Sequence, residues 1–165
     1  MIIMGAQHAS GDILFFLHSD THLPAGALEK IQKCMDNPEI VWGGFKRCLN
    51  SRGWKYRLLD LWVMCYNRLF KIITGDQGIF CRKGVFMNIG GFRGMPILED
   101  VNLAARLKKS GQMILIKDCI RVSIRRYEKT GIFKISFLNL FLSFLYICGV
   151  SLDRIYQIYY RKFKR

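Results

Sequence analysis

The sequence predicts an α/β fold, a mostly parallel sheet flanked by helices, and three observations carry that expectation. Short unbroken apolar runs alternate with segments of helical periodicity. Residues 13–17 contain no polar side chain, as suits a strand covered on both faces. Glycine or proline marks most changes of pattern, at Pro24, Gly43-Gly44, Gly75, Gly90-Gly91 and Gly111. At 165 residues, 51% hydrophobic and 23% charged, the chain has room for one domain with a core and is not a disordered polymer.

Residues 1–11 read as the end of a helix and a loop, followed by a strand over 13–18. Pro24-Ala25-Gly26 opens a helix that runs to about Met35, with Pro24 near its first turn. A second strand covers 41–49, where Gly43-Gly44 marks a tight or bulged place. Between 56 and 73, Leu58, Leu59, Trp62, Val63, Tyr66, Leu69, Phe70 and Ile73 recur at helical spacing and predict a long amphipathic helix. Gly75-Asp76-Gln77-Gly78 is a turn into a short strand at 79–82. Helices over 83–89 and 99–110 end at glycines, and a strand follows at 113–117.

Charge separates the carboxyl-terminal region from the rest. From Arg121 to Arg165 ten Lys and Arg face only Glu128 and Asp153, and the whole chain carries a formal charge of +14. The same region contains residues 131–150, apolar apart from Lys134, Asn139 and a few serines. Its cleanest stretch, 140–150, falls short of the ~20 residues a spanning helix needs. Residues 131–165 therefore read as a helical tail lying in the interface of an anionic membrane. A single tilted span with Lys134 snorkelling and a buried helical hairpin stay open as alternatives. Charge alone would also admit nucleic acid, but no nucleic-acid-binding module is recognisable, so none is expected as partner. The six cysteines form no CxxC pair, and the first Lys or Arg is Lys30, unlike a secretory leader. Reduced thiols and the cytoplasmic face of a membrane are the expectation.

Several side chains could carry chemistry. His18 and Asp20 are two residues apart at a strand end and would face the same side. An imidazole with a carboxylate suits Mn²⁺ or Mg²⁺, a ligand's phosphates completing the shell; the plainer alternative is a polar turn after a strand. Glu99 and Asp100 open a helix, where a carboxylate either stabilises the helix end or acts as general base. Gly94-Met95-Pro96 would shape the approach to them. Asp76 and Gln77 stand between glycines, in a turn or where backbone approaches a ligand closely. Arg125 and Arg126 are either solvated or paired on a diphosphate. His8 and His22 read as ordinary surface or capping residues.

In order along the chain, "ASGDILFFLHSDTHLP", "GDQGIFCRK", "IGGFRGMPILEDVNLAARLKKSG" and "SIRRYEKTG" resemble family 2 glycosyltransferases, in a bacterial-type branch with a His-x-Asp form of the metal motif. The resemblance covers about residues 5–150. It implies a GT-A fold and transfer of a sugar from a nucleoside-diphosphate sugar to an acceptor hydroxyl, on a glycan or a lipid-linked molecule, with inversion. It further implies Asp20 and His18 as metal ligands and Asp100 as catalytic base with Glu99 beside it. Asp76 and Gln77 match the acceptor-side loop, and Arg125 and Arg126 the basic motif near the diphosphate. Members of the family open with a strand–helix–strand unit that holds the nucleoside, and "MIIMGAQHASGD" corresponds to the segment just after that unit. The expectation is thus an incomplete GT-A domain over 1–130, the later part of a longer enzyme, with strand 13–18 on a sheet edge. The competing expectation is an inactive remnant with a membrane- or partner-binding role.

Overall fold

The computed structural model describes residues 2–94 and 97–163. After helix α1 (Ile2–His8) come strand β1 (Ile13–Phe16), the two-residue β2 (Thr21–His22), helix α2 (Ala27–Met35) and strand β3 (Ile40–Leu49). Helix α3 (Trp54–Phe70) leads to a 3-10 turn at Gly75–Gln77, then β4 (Ile79–Arg82), α4 (Lys83–Asn88), α5 (Glu99–Leu107) and β5 (Gln112–Val122). Three helices close the chain: α6 (Arg125–Thr130), α7 (Ile132–Ile147) and α8 (Leu152–Phe163).

The five strands form one sheet in the order β1-β4-β3-β5-β2. Only β3 and β5 run parallel; β1/β4, β3/β4 and β2/β5 are antiparallel. The α/β class stands, with helices on the sheet and a mixed sheet consistent with a partial GT-A fold, but the expected mostly parallel arrangement is corrected. Apolar runs identify strands without giving their direction. After β3 the chain passes through α3 and the 3-10 turn to re-enter at the end it left, so β4 returns antiparallel.

β1 does lie on an edge, and β2 lies on the other one. Only residues 17–20 connect them. Four strand spacings amount to ~19 Å in a flat sheet. Five Cα steps reach at most about that distance when fully extended. The sheet therefore curls, and the connection carrying His18 and Asp20 crosses its end.

Alternation along the strands covers both faces. Leu14, Trp42, Ile79 and Cys81 pack with Ile73, Phe86, Leu103 and Leu107 on the side of α4 and α5. Phe45, Phe80, Ile116 and Ile120 pack with Ala27, Ile31 and Met35 of α2 on the other. Gly43 is where the strands crowd, since a Cβ there would sit 2.4 Å from the Ile114 carbonyl oxygen and 2.6 Å from the Phe80 ring. Register shifts fall on either side of the glycine pair, at Ile40/Trp42 and Phe45/Lys46, as the bulge expectation required.

The expectation of reduced cysteines is corrected at one pair. Cys48 on β3 and Cys119 on β5 form a disulfide with Cα atoms 5.5 Å apart. Their separation of 71 residues conceals that the two strands are neighbours. Cys81 is a buried free thiol, pushed up to about 12 by its apolar surroundings.

In the tail, Leu138, Leu142 and Ile155 join α7 to α8 in a separate small core, with Ile97 and Leu98 against it. Among the described residues no helix is long and apolar enough to cross a membrane, which corrects the spanning alternative for them.

Candidate active site

A cavity of about 430 Å³ opens where the sheet end meets α3, the start of α5, α7 and α8. His18, Asp20, Asp76 and Asp100 all line it, four residues from three separate motifs. The opposite wall is Leu59, Trp62 and Tyr66 of α3 with Leu142 and Ser143 of α7.

Asp100 is held from two directions. Its Oδ2 accepts the Gly75 N–H at 2.7 Å and its Oδ1 accepts the Val101 N–H at 2.8 Å. Leu98, two residues earlier, has φ 56°, in the left-handed region a branched side chain rarely occupies. Such strain persists where surrounding structure enforces it. Here it turns the chain so that the carboxylate reaches the Gly75 N–H. Burial raises the Asp100 pKa above the ordinary carboxylate value, the two N–H donors oppose that, Asp76 adds to it and His18 lowers it.

Gly75 is the space between two functional groups. A Cβ there would lie 2.6 Å from His18 Nε2 and 3.3 Å from Asp100 Oδ2. The imidazole and the carboxylate thus flank a backbone that only glycine leaves open. Thr74, just before it, donates its hydroxyl to Asp76 Oδ1 at 2.5 Å.

Beneath these groups lies a buried charge cluster that the sequence motifs do not reveal. Arg47 on β3 gives Nη1 to Asp76 Oδ2 at 3.2 Å and to the Tyr127 hydroxyl at 3.3 Å. Its Nε goes to Asp60 Oδ1 at 3.2 Å, and Asp60 Oδ2 accepts the Leu49 N–H at 2.8 Å. The Arg47 side chain is 6% exposed and its Nη2 is buried without a hydrogen-bond partner among the described residues. Burial acts to lower its pKa, but Asp76, Tyr127 and Asp60 outweigh it and the net direction is upward. Asp60, in turn, is raised by burial against the pull of the Leu49 N–H and Arg47. One sequence signal was available: two adjacent cations, Lys46 and Arg47, in a strand whose other residues are apolar or glycine.

The other expected residues are distributed unevenly. Gln77 is fully buried away from the cavity, where its Nε2 donates to the Phe45 carbonyl and its Oε1 accepts the Thr74 N–H. It is a strut for the 3-10 turn, which corrects its placement as a substrate contact. Glu99 does not line the cavity, although Asp100 does. Arg125 is exposed, its backbone N–H bonded to Ser123 Oγ, and is also off the cavity wall. The Arg126 side chain and Met95-Pro96 lie outside the described residues. Tyr127 stands on the wall where the arginine pair was expected.

Divalent ions need hard oxygen or imidazole donors, and the cavity offers both kinds in His18 and Asp20. No group of three or more His, Cys, Asp or Glu with metal-binding geometry occurs among the described residues. The donor set fits a site with two protein ligands whose remaining positions a diphosphate would fill.

Residues 2–96 match the family model described as Glycosyl transferase family 2. The matched segment contains His18, Asp20 and Asp76 and ends four residues before Asp100. No curated protein matches the chain.

Proposed function

The chain belongs to glycosyl transferase family 2, whose members transfer sugars from nucleotide-sugar donors and commonly use a divalent cation, and from that premise we propose metal-dependent, inverting transfer to an acceptor hydroxyl with Asp100 as general base. The observation that carries this reading is the Asp100 carboxylate, fixed by two backbone N–H groups on the wall of a cavity that also holds Asp20, His18 and Asp76. A carboxylate raised by burial is a stronger base than one in water, closer to the pKa that proton abstraction at neutral pH needs.

Asp100 takes the proton of the acceptor hydroxyl as that oxygen attacks the anomeric carbon, and the bond from that carbon to the diphosphate oxygen breaks on the opposite side. The electron pair leaves with the nucleoside diphosphate, and the configuration inverts. Asp76, aligned by Arg47 and Thr74, faces the acceptor side. Asp20 and His18 would hold Mn²⁺ or Mg²⁺, which when bound neutralises charge on the diphosphate. Attachment to an anionic membrane is supported by the exposed Phe137 and Phe144 of α7 and by the basic residues of the tail.

The test is Asp100→Asn in this protein, against a panel of nucleoside-diphosphate sugars with Mn²⁺. Donor affinity by calorimetry should be retained. Transfer should fall by at least about a hundredfold, within the ~10²–10⁴ typical of general base catalysis. Glu99→Gln should be milder. Transfer by Asp100→Asn at the wild-type rate would move the base elsewhere.

A further inference from the structure

Beside the cavity runs a second depression, of about 520 Å³, between α3 and the start of α7. Its walls are almost entirely apolar, with Trp54, Leu58 and Leu61 from α3 facing Ile132 and Phe133 from α7. These are not residues whose exposure the fold requires for solubility. Trp54 is 66% exposed and Phe133 71%. Lys55 lies 5.8 Å from the Trp54 ring and 6.0 Å from the Phe133 ring, placing one cation over both sides of the groove.

The groove does not end in solvent at its inner side. Leu59, Trp62 and Ser136 line both it and the cavity that holds Asp100. One continuous surface therefore passes from carboxylates to hydrocarbon. A purely polar acceptor would leave the apolar section empty, and a flat bilayer or a second copy would have no use for the passage into the cavity. A molecule with a hydroxyl head and a long hydrocarbon tail uses both, and the groove's size falls within the range of small-molecule sites.

We propose that the α3/α7 groove binds the hydrocarbon tail of a lipid-linked acceptor, whose reactive hydroxyl then lies in the cavity beside Asp100. This assignment of the acceptor class rests on the glycosyl-transfer reading above. The tail supplies affinity by burial of apolar surface, and the passage at Ser136 sets how deeply the head enters.

Two of the three tryptophans, Trp54 and Trp62, line the groove, while Trp42 is fully buried in the core. Fluorescence quenching by a dibrominated long-chain alcohol, kept below its aggregation concentration, therefore reads occupancy directly. The expected result is saturable quenching with one probe per chain, weakened at least tenfold by Leu61→Asp and by Phe133→Ser. Both side chains are exposed, and whichever variant retains the wild-type melting transition is scored. Wild-type affinity in that variant overturns the proposal. So does quenching seen only with brominated phospholipid in vesicles, which would make the face a bilayer contact. A dimer by sedimentation that excludes the probe overturns it as well. Nucleoside-diphosphate binding to the wild-type protein, measured by calorimetry alongside, reports on glycosyl transfer separately: its absence removes that reading whatever the quenching shows.

Discussion

The two walls of the cavity are built on opposite physical terms. On one side, charged groups from β3, the 3-10 turn and α5 are fixed by hydrogen bonds, and Arg47, Asp76 and Asp100 all have named partners. On the helix side, α3 and α7 present large apolar side chains, Leu59, Trp62 and Tyr66 on the cavity and the more than half-exposed Trp54, Leu58 and Phe133 on the groove beside it. The first wall spends stability on holding charges out of water; the second keeps hydrocarbon in water. Neither is what a fold optimised only for stability would keep. Together they give one continuous surface a charged, hydrogen-bonded part and an apolar part.

The sharpest way to break this contrast is to remove the metal-type donor from the polar wall. Asp20→Ala should abolish Mn²⁺-dependent donor hydrolysis, read as nucleoside diphosphate released with and without the ion. A variant with unchanged metal dependence would remove Asp20 from the site.

The next effect is on stability. Asp60 is one of two carboxylates on a guanidinium that is 6% exposed, and Asp60 itself is 14% exposed. Asp60→Asn leaves Arg47 with Asp76 as its one carboxylate partner, beside the Tyr127 hydroxyl, and a broken buried pair costs about 3 kcal/mol. Urea denaturation should show that loss, while a matched substitution at an exposed site such as Glu29 should show almost none. Equal stability would mean that Asp76 by itself satisfies Arg47.

A smaller and more local effect is expected at Gly75. Gly75→Ala places a methyl group 2.6 Å from His18 Nε2, so the imidazole must move while the core does not. Melting should shift little, and transfer should fall roughly tenfold or more, because small misplacements in a site are amplified in rate. A parallel fall in stability and activity would instead make Gly75 a folding residue.

The gentlest test addresses the apolar wall and its basic flanks. Each Lys or Arg near an anionic surface contributes ~1 kcal/mol. The protein should therefore sediment with phosphatidylserine vesicles at low salt, and much less with neutral vesicles or at high salt. Equal sedimentation with both would assign attachment to the aromatic residues alone.

Much of the architecture was legible in the residues. The unbroken run beginning at Ile13 gave a strand, the periodicity from Leu58 placed α3 within a few residues of its bounds of Trp54–Phe70, and the helix expected to end at Gly111 starts at Glu99 as expected but stops at Leu107. The residue pair His18 and Asp20 could be singled out because chemistry-bearing side chains followed a strand end. Asp100 could be singled out for opening a helix, but its sequence neighbour Glu99 had the same claim. Only the left-handed turn at Leu98 and the N–H of Gly75, distant in sequence, separate them.

The sequence by itself determined the strands and helices and which side chains could act as acid, base or ligand, because periodicity and residue chemistry are local properties. Tertiary structure decided the rest. Strand direction depends on which end of the sheet a connection returns to, so β4 runs antiparallel. The Arg47 cluster joins β3, α3, the 3-10 turn and α6, and the Cys48–Cys119 bridge joins strands remote in sequence. Gln77 and Asp76 are adjacent, yet one is sealed into the core and the other faces the cavity, since a single turn of backbone sends neighbouring side chains to opposite sides.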